Sequence, residues 1–241
     1  MTAVQARSAI VEDDDRSAVV CEELCARLRA LAGAHVAAAA VAIDSRLQPH
    51  PEEERHLRSA QPKRRAEFAA GRWCAREALR RLGAPVGPLH RTSLGAPIWP
   101  EGFQGSITHH GRFAMAAAHP APPGAAPILG IDLIDLAEKR DIESLHGLFI
   151  APGDEIAACP RADRRERFAA LLSGKEATIK ILSSRFGATI DPRLMPVRKD
   201  AAGFYLRHPE FPFAIGYEAS VVEDVLLTIA RISPDRGRDE A

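Results

Sequence analysis

Apolar and polar positions alternate along this chain in a pattern that resolves into a few helices and strands. Residues 18–32, AVVCEELCARLRALA, carry apolar side chains at helical spacing and stop before Gly33, which predicts a helix. VAAAAVAI at 36–43 is the longest apolar run and predicts a buried strand. A second helix is predicted from Pro62, with Phe68, Cys74, Ala75, Leu79 and Leu82 as its buried stripe and Gly83 as its end. Residues 84–105 are rich in Gly and Pro and read as loop with short strand. SITHH and FAMAAA, joined by Gly111 and Arg112, have a hairpin pattern, and ILGIDLI at 128–134 reads as a buried strand. RFAALLSGKEATIKILSSRFG at 167–187 is the clearest helix. GFYLRH, FAIGYEAS and VLLTIARI then predict antiparallel strands. The mix is α+β. PAPPGAAP at 120–127 is the natural linker, so the expected organisation is an N-terminal subdomain at 18–125 and a C-terminal one at 126–232, with polar tails at 1–17 and 233–241.

Composition narrows the function classes. Apolar residues make up 46% of the 241 positions, so most of the chain can fold around a core. The formal net charge is zero, with 32 basic and 32 acidic residues, which argues against a nucleic-acid binder. No signal peptide pattern opens the chain, and no stretch approaches a membrane span. Cys21, Cys25, Cys74 and Cys159 match no zinc spacing and read as reduced thiols of a cytoplasmic protein.

Four features fit poorly with a purely structural role. Asp132 is the one polar side chain in ILGIDLI, and an unpartnered carboxylate there would cost several kcal/mol. It either pairs with a basic group or binds a metal. In SGKEATIK at 173–180, Ser173, Glu176 and Lys180 share a helix face. GSITHH at 105–110 follows GAPIWP at 95–100; His109 and His110 should point to opposite sides of a strand, so only one should reach a given site. The helix from Pro62 carries a stripe of Arg72, Arg76 and Arg80, which is either a solvated face or an anion site.

Taken in order, RRAEFAAGRWCAREAL, GAPIWPEGFQGSITHH, LGIDLID and LLSGKEATIK resemble the 4′-phosphopantetheinyl transferase superfamily, in its single-chain enterobactin-synthase-component and surfactin-type branch. The resemblance runs from about residue 60 to 185, and the 44 positions between Asp132 and Glu176 fit the family's gap. It implies two similar α/β subdomains with antiparallel sheets, related by a pseudo-two-fold, with coenzyme A and Mg²⁺ (or Mn²⁺) in the cleft between them. It implies a monomer that modifies apo carrier proteins of non-ribosomal peptide, polyketide or fatty-acid systems. By the same resemblance Asp132 and Glu176 hold the metal, and Glu176 and Lys180 act in catalysis, with Glu155 a further candidate base. Thr108, His109 and Lys175 would meet phosphates, Gly95, Ala96 and Pro97 would line the adenine site, and Arg72, Arg76 and Arg65 would lie near the 3′-phosphate.

The chain departs from the pattern at Ile134, where larger members carry a second acid. Asp135 should face the opposite side of the strand and cannot replace it. That departure keeps a second reading open, a catalytically weakened protein that binds coenzyme A or a carrier. A generic nucleotide-phosphate enzyme is disfavoured by the lack of a P-loop or dinucleotide fingerprint. Basic and apolar residues at 139–167, such as Arg165, Arg167 and Leu148, are candidates for carrier docking.

Overall fold

A computed structural model describes residues 3–125, 128–138, 142–154 and 164–233. Helix α1 spans Ala3–Ala32, followed by strand β1 (Ala37–Ala42), helix α2 (Pro62–Arg81) and the hairpin β2 (Phe103–His110) and β3 (Phe113–Pro120). Strand β4 (Leu129–Asp135), the short helix α3 (His146–Phe149) and helix α4 (Arg164–Phe186) follow. Strands β5 (Val197–Asp200), β6 (Gly203–Arg207), β7 (Ala214–Val222) and β8 (Val225–Ser233) complete the described chain.

In place of the expected polar tail over 1–17, α1 already begins at Ala3. That segment contains neither Gly nor Pro, so nothing in it interrupts a helix that forms downstream. Arg16 anchors this upstream part by donating to Glu223 in the β7–β8 turn at 3.0 Å. The C-terminal tail from residue 234 onward lies outside the described residues.

The strands form two antiparallel sheets, β1-β3-β2 and β4-β8-β7-β6-β5, an α+β arrangement. Alanines in β1 and β3 alternate between two faces of the small sheet. Ala38 and Ala117 pack under α1 beside Leu24 and Leu28. Ala37, Ala39, Ala116 and Ala118 pack under α2 beside Cys74, Ala75 and Leu79. Small side chains let both helices lie close to the sheet. The core beneath α1 continues into Ile131 and Leu133 of β4 and Leu227 and Ile229 of β8, so α1 covers both sheets. The opposite face of the larger sheet packs on α4 through Ile134, Leu226, Ala230 and Ile181.

The sheets meet where the edge strands β2 and β4 run side by side. Their junction is made by side chains. Ser106 Oγ accepts the Ile131 N–H at 3.1 Å, Thr108 Oγ1 accepts the Leu133 N–H at 3.2 Å, and His110 Nδ1 accepts the Asp135 N–H at 2.9 Å. Alternate residues of one edge thus satisfy alternate amides of the other, groups that would be costly to bury unpaired. At the hairpin, Arg112 Nε donates to Asp135 at 2.9 Å and its Nη2 to Asp224 at 2.8 Å, clamping the turn to the second sheet. Asp135 is thereby committed to Arg112.

Candidate functional site

Asp132 sits mid-strand in β4 because β4 lies directly on α4. Gly130 makes that approach achievable: a Cβ there would fall 2.0 Å from the Ala177 carbonyl oxygen. The contact brings the Ser173–Glu176–Lys180 face of α4 over the strand. Asp132, 8% exposed, accepts from three sides. Thr108 Oγ1 donates to Oδ1 at 3.0 Å, Lys180 Nζ to Oδ1 at 2.8 Å, and Ser173 Oγ to Oδ2 at 2.9 Å. Lys180 Nζ also donates to the Ile131 carbonyl at 2.8 Å.

Asp132, Glu176 and Lys180 line a cavity of about 440 Å³ with Thr108, His109 and His110. Leu145, Phe149, Leu172 and Ile134 supply its apolar wall. Burial pushes the Glu176 carboxyl above its ordinary pKa, the Asp132 charge adds to that, and Lys180 opposes it. Two carboxylates crowded into one partly closed space form an attractive set for a hard cation. Among the described residues no group of three or more His, Cys, Asp and Glu side chains gathers for a metal. Ile134 faces the same cavity as Asp132 and occupies the position where a third carboxylate would sit. A Mg²⁺ ion commonly uses one or two carboxylates and completes its shell with water and substrate phosphate, so the donor pair fits that ion.

A second cleft of about 150 Å³ adjoins the first, sharing Ile107 and His109 with it. Three guanidinium groups, Arg64, Arg72 and Arg91, line it with Glu67, Gly95 and Pro97. Arg72 is 5% exposed, and its Nε is buried without a partner. Burial lowers its pKa to about 10, Glu53 opposing and Arg76 adding to the shift. Arg72 packs over the Phe68 ring at 4.7 Å, and its Nη2 donates to the His90 carbonyl at 3.5 Å. Gly95 holds φ at +89° in the turn that aims this loop at the cleft. Arg64 Nη1 lies 2.6 Å from His109 Nε2, so that nitrogen accepts and the imidazole is neutral. Burial lowers the His109 pKa to about 4, with Glu67 opposing and Arg64 and Lys180 reinforcing.

Several expected contacts take other partners. Lys175 is fully buried and lines neither cavity; its Nζ donates to Asp154 at 2.8 Å and to the Phe149 carbonyl at 2.6 Å. It ties the 149–154 loop to α4. Arg76 Nη1 donates to Glu53 at 2.9 Å, a carboxylate that is 0% exposed and also accepts the Leu89 N–H at 2.8 Å. Arg65 donates to Glu54 and to the Leu57 carbonyl. Ala96 uses its carbonyl to accept the Thr92 N–H at 2.8 Å and does not itself line the cleft. In each case a nearby protein group already satisfies the side chain or backbone, a pairing that spacing along a helix does not reveal. Both His109 and His110 border the larger cavity, contrary to the one-sided expectation, because it lies across the end of β2 where the hairpin turns. Glu155 and residues 139–141 and 156–163 of the docking candidate lie outside the described residues.

Arg64, part of the arginine-rich helix, and Arg91 were not among the site residues expected from the sequence. Arg64, Phe68 and Arg72 are spaced by four, a stripe as regular as the Arg72–Arg76–Arg80 series, and this is the stripe that faces the cleft. Arg91 lies in the Gly- and Pro-rich loop, where no periodic signal exists. Ser173 proved to be a direct partner of Asp132.

Comparison with known proteins points to one superfamily. Residues 52–119 match the family model described as "4'-phosphopantetheinyl transferase N-terminal domain". The 4'-phosphopantetheinyl transferase Svp of Streptomyces mobaraensis is 52% identical over 82 residues, 34% of this chain and 32% of the relative. The 4'-phosphopantetheinyl transferase PptT of Mycobacterium tuberculosis is 46% identical over 96 residues, 40% of each chain. The aligned segments thus span 32% and 40% of these relatives' lengths. A holo-(acyl-carrier-protein) synthase from Bacillus anthracis, solved in complex with CoA, aligns at TM-score 0.35 and 18% identity over 44% of this chain and 94% of that one. The superfamily recognised in the motifs is therefore supported by family model and curated relatives alike, over residues 52–119 in the family model. No described helix is long and apolar enough to cross a membrane.

Proposed function

We propose that this protein is a 4′-phosphopantetheinyl transferase, a cytoplasmic monomer that uses coenzyme A to convert apo carrier proteins to their holo form. The observation that carries the reading is the pairing of a carboxylate cavity with an arginine cleft, joined at His109. A ligand with phosphates at two places, a pyrophosphate and a terminal monoester, has the charge distribution this double site complements.

In the reaction, the serine hydroxyl of the carrier forms a new bond to the β-phosphorus of coenzyme A. The pyrophosphate P–O bond breaks, phosphopantetheine stays on the serine, and 3′,5′-ADP leaves. Asp132 and Glu176 would hold Mg²⁺, which supplies charge neutralisation at the pyrophosphate. Glu176, whose carboxyl is pushed upward in pKa, is suited to take the serine proton. Lys180 holds the Asp132 carboxylate in place through their 2.8 Å ion pair, and lies at the cavity wall where phosphate oxygens would approach. His109 presents a neutral ring at the boundary of the two clefts, and Arg72, with an unpartnered buried Nε, is suited to the terminal phosphate.

The test is mass spectrometry of apo carrier proteins incubated with the purified protein, coenzyme A and Mg²⁺. A gain of the phosphopantetheine mass on a carrier serine is expected. No gain across peptidyl, aryl and acyl carriers would sink the reading. Ile134 in the cavity favours one competitor, a binding protein without turnover; tight coenzyme A binding that ignores Mg²⁺, with no transfer, would establish it.

A further inference from the structure

The seam between β2 and β4 does more than bury polar groups. Two edge strands joined by backbone hydrogen bonds would lie about 4.8 Å apart, with their side chains directed to the sheet faces. Here each link passes through a β2 side chain, so the strands stand apart by the length of that side chain. The links are graded. Ser106 and Thr108 reach across with an oxygen one bond beyond Cβ, whereas His110 reaches with a ring nitrogen further out. The larger cavity borders the hairpin end of the seam, at His109, His110, Asp132 and Ile134. The middle link already belongs to the site: Thr108 accepts from Leu133 and donates to the Asp132 carboxylate. The outer two links, Ser106 and His110, flank it on the same strand.

We propose that Ser106 and His110 are positioning residues that set the width of this seam and so hold Asp132, on one sheet, opposite His109 on the other. The assignment rests on the transferase reading for its kinetic consequence, but the seam has a readout of its own. The arginine cleft is built entirely from residues before 110, on the near side of the seam, whereas Asp132 and Glu176 lie beyond it. Changing the seam should move the carboxylates relative to a coenzyme A whose terminal phosphate remains anchored. The expected signature is a fall in kcat with KM for coenzyme A held.

His110→Ala removes the acceptor, and His110→Asn returns an amide oxygen able to accept the same N–H. Full-length wild type and both variants are assayed for carrier modification over a range of coenzyme A concentrations, with rates normalised to the folded fraction from thermal melts. His110→Ala should lower kcat roughly 10- to 100-fold, the range for a displacement on the order of 1 Å, while KM changes by no more than about twofold. His110→Asn should recover most of the loss. Ser106→Ala and Ser106→Thr repeat the pair at the other end of the seam. Amide hydrogen exchange of Asp135 and Leu133, measured by NMR, reads the seam without activity: faster exchange at Asp135 is expected in His110→Ala and near-wild-type exchange in His110→Asn. Unchanged kcat in His110→Ala, an Asn variant as slow as Ala, or unchanged exchange at Asp135 each overturns the proposal. A wild type that transfers nothing overturns the transferase reading instead, and the exchange comparison then decides the seam alone.

Discussion

The two clefts differ in sign and in origin, a contrast that the zero net charge of the chain averages away. The arginine cleft comes wholly from the N-terminal half and sets three guanidinium groups against one carboxylate. The carboxylate cavity draws its charged groups from β4 and α4 and sets Asp132 and Glu176 against Lys180. In each, burial disfavours the charged form of one key group: the Glu176 carboxyl is pushed up in pKa and the Arg72 guanidinium is pushed down. Arg72 also has a buried Nε without a partner. The two groups are thus of opposite sign, on either side of His109, which borders both clefts.

The largest break in this comparison is expected at the carboxylates. Glu176→Gln should lower carrier modification by roughly 100- to 1000-fold, measured by mass spectrometry under single-turnover conditions. It should also leave the protein folded and slightly more heat-stable. A carboxyl with raised folded-state pKa lowers stability as pH rises through the window above its ordinary value, so an uncharged amide relieves that strain. A variant that loses both activity and melting temperature would contradict this account. Asp132→Ala should behave differently. It strands the Lys180 ammonium and the Thr108 and Ser173 hydroxyls, and should cost about 3 kcal/mol in chemical unfolding.

Next in size is the opposite cleft. Arg72→Lys keeps the charge but removes the planar fork and the buried Nε, and should raise KM for coenzyme A roughly 10-fold with little change in kcat. Dephospho-coenzyme A, lacking the terminal phosphate, should respond far less to the same substitution. Equal losses for both substrates would separate Arg72 from that phosphate.

These contrasts also mark what was legible beforehand. Asp132 stood out because a lone carboxylate in an apolar strand demands a partner, and Lys180, Ser173 and Thr108 answer that demand. Helix spacing put Ser173, Glu176 and Lys180 on one face, and that face lies on Asp132. The same reasoning says nothing of Lys175, one residue from Glu176, whose ammonium meets Asp154 in a distant loop. Nor does it foretell that Arg76 meets Glu53, 23 positions upstream, since nothing in either local pattern announces the meeting. Local periodicity tells which residues share a face; which carboxylate comes to rest against that face is decided by the tertiary fold. The α1 extension to Ala3 was hidden for a simpler reason: polar sequence with good helix formers looks the same in a tail and in a helix.

Ile134 offers a smaller but more diagnostic test, since it asks whether the cavity can be brought to the three-carboxylate form. Ile134 is buried in the α4-facing core and also lines the cavity. Ile134→Glu should therefore lower the melting temperature without a divalent ion, by burying a further negative charge beside Asp132 and Glu176. Added Mg²⁺ or Mn²⁺ should restore it, by a larger shift than in the wild type. Equal ion-induced shifts in both proteins would mean that residue 134 does not face the ion.

The smallest effect falls on the residue the two clefts share. His109 has its pKa lowered to about 4, chiefly by burial, against an ordinary 6.5. Between those values the unfolded chain binds more protons at this position than the folded one, so stability rises with pH across that window and is lost as pH falls from 6.5 toward 4. His109→Asn removes the titrating group while keeping an oxygen that can accept from Arg64. Between pH 7 and pH 6 the wild type should lose about 2 °C more in melting temperature than this variant. A parallel fall in both would mean that His109 titrates alike in the folded and unfolded chain, and that the ring is not held neutral between the two clefts. A steeper fall in the wild type would place its neutral form among the requirements of the fold, so that the junction of the two clefts is kept uncharged at the stability cost His109 carries below pH 6.5.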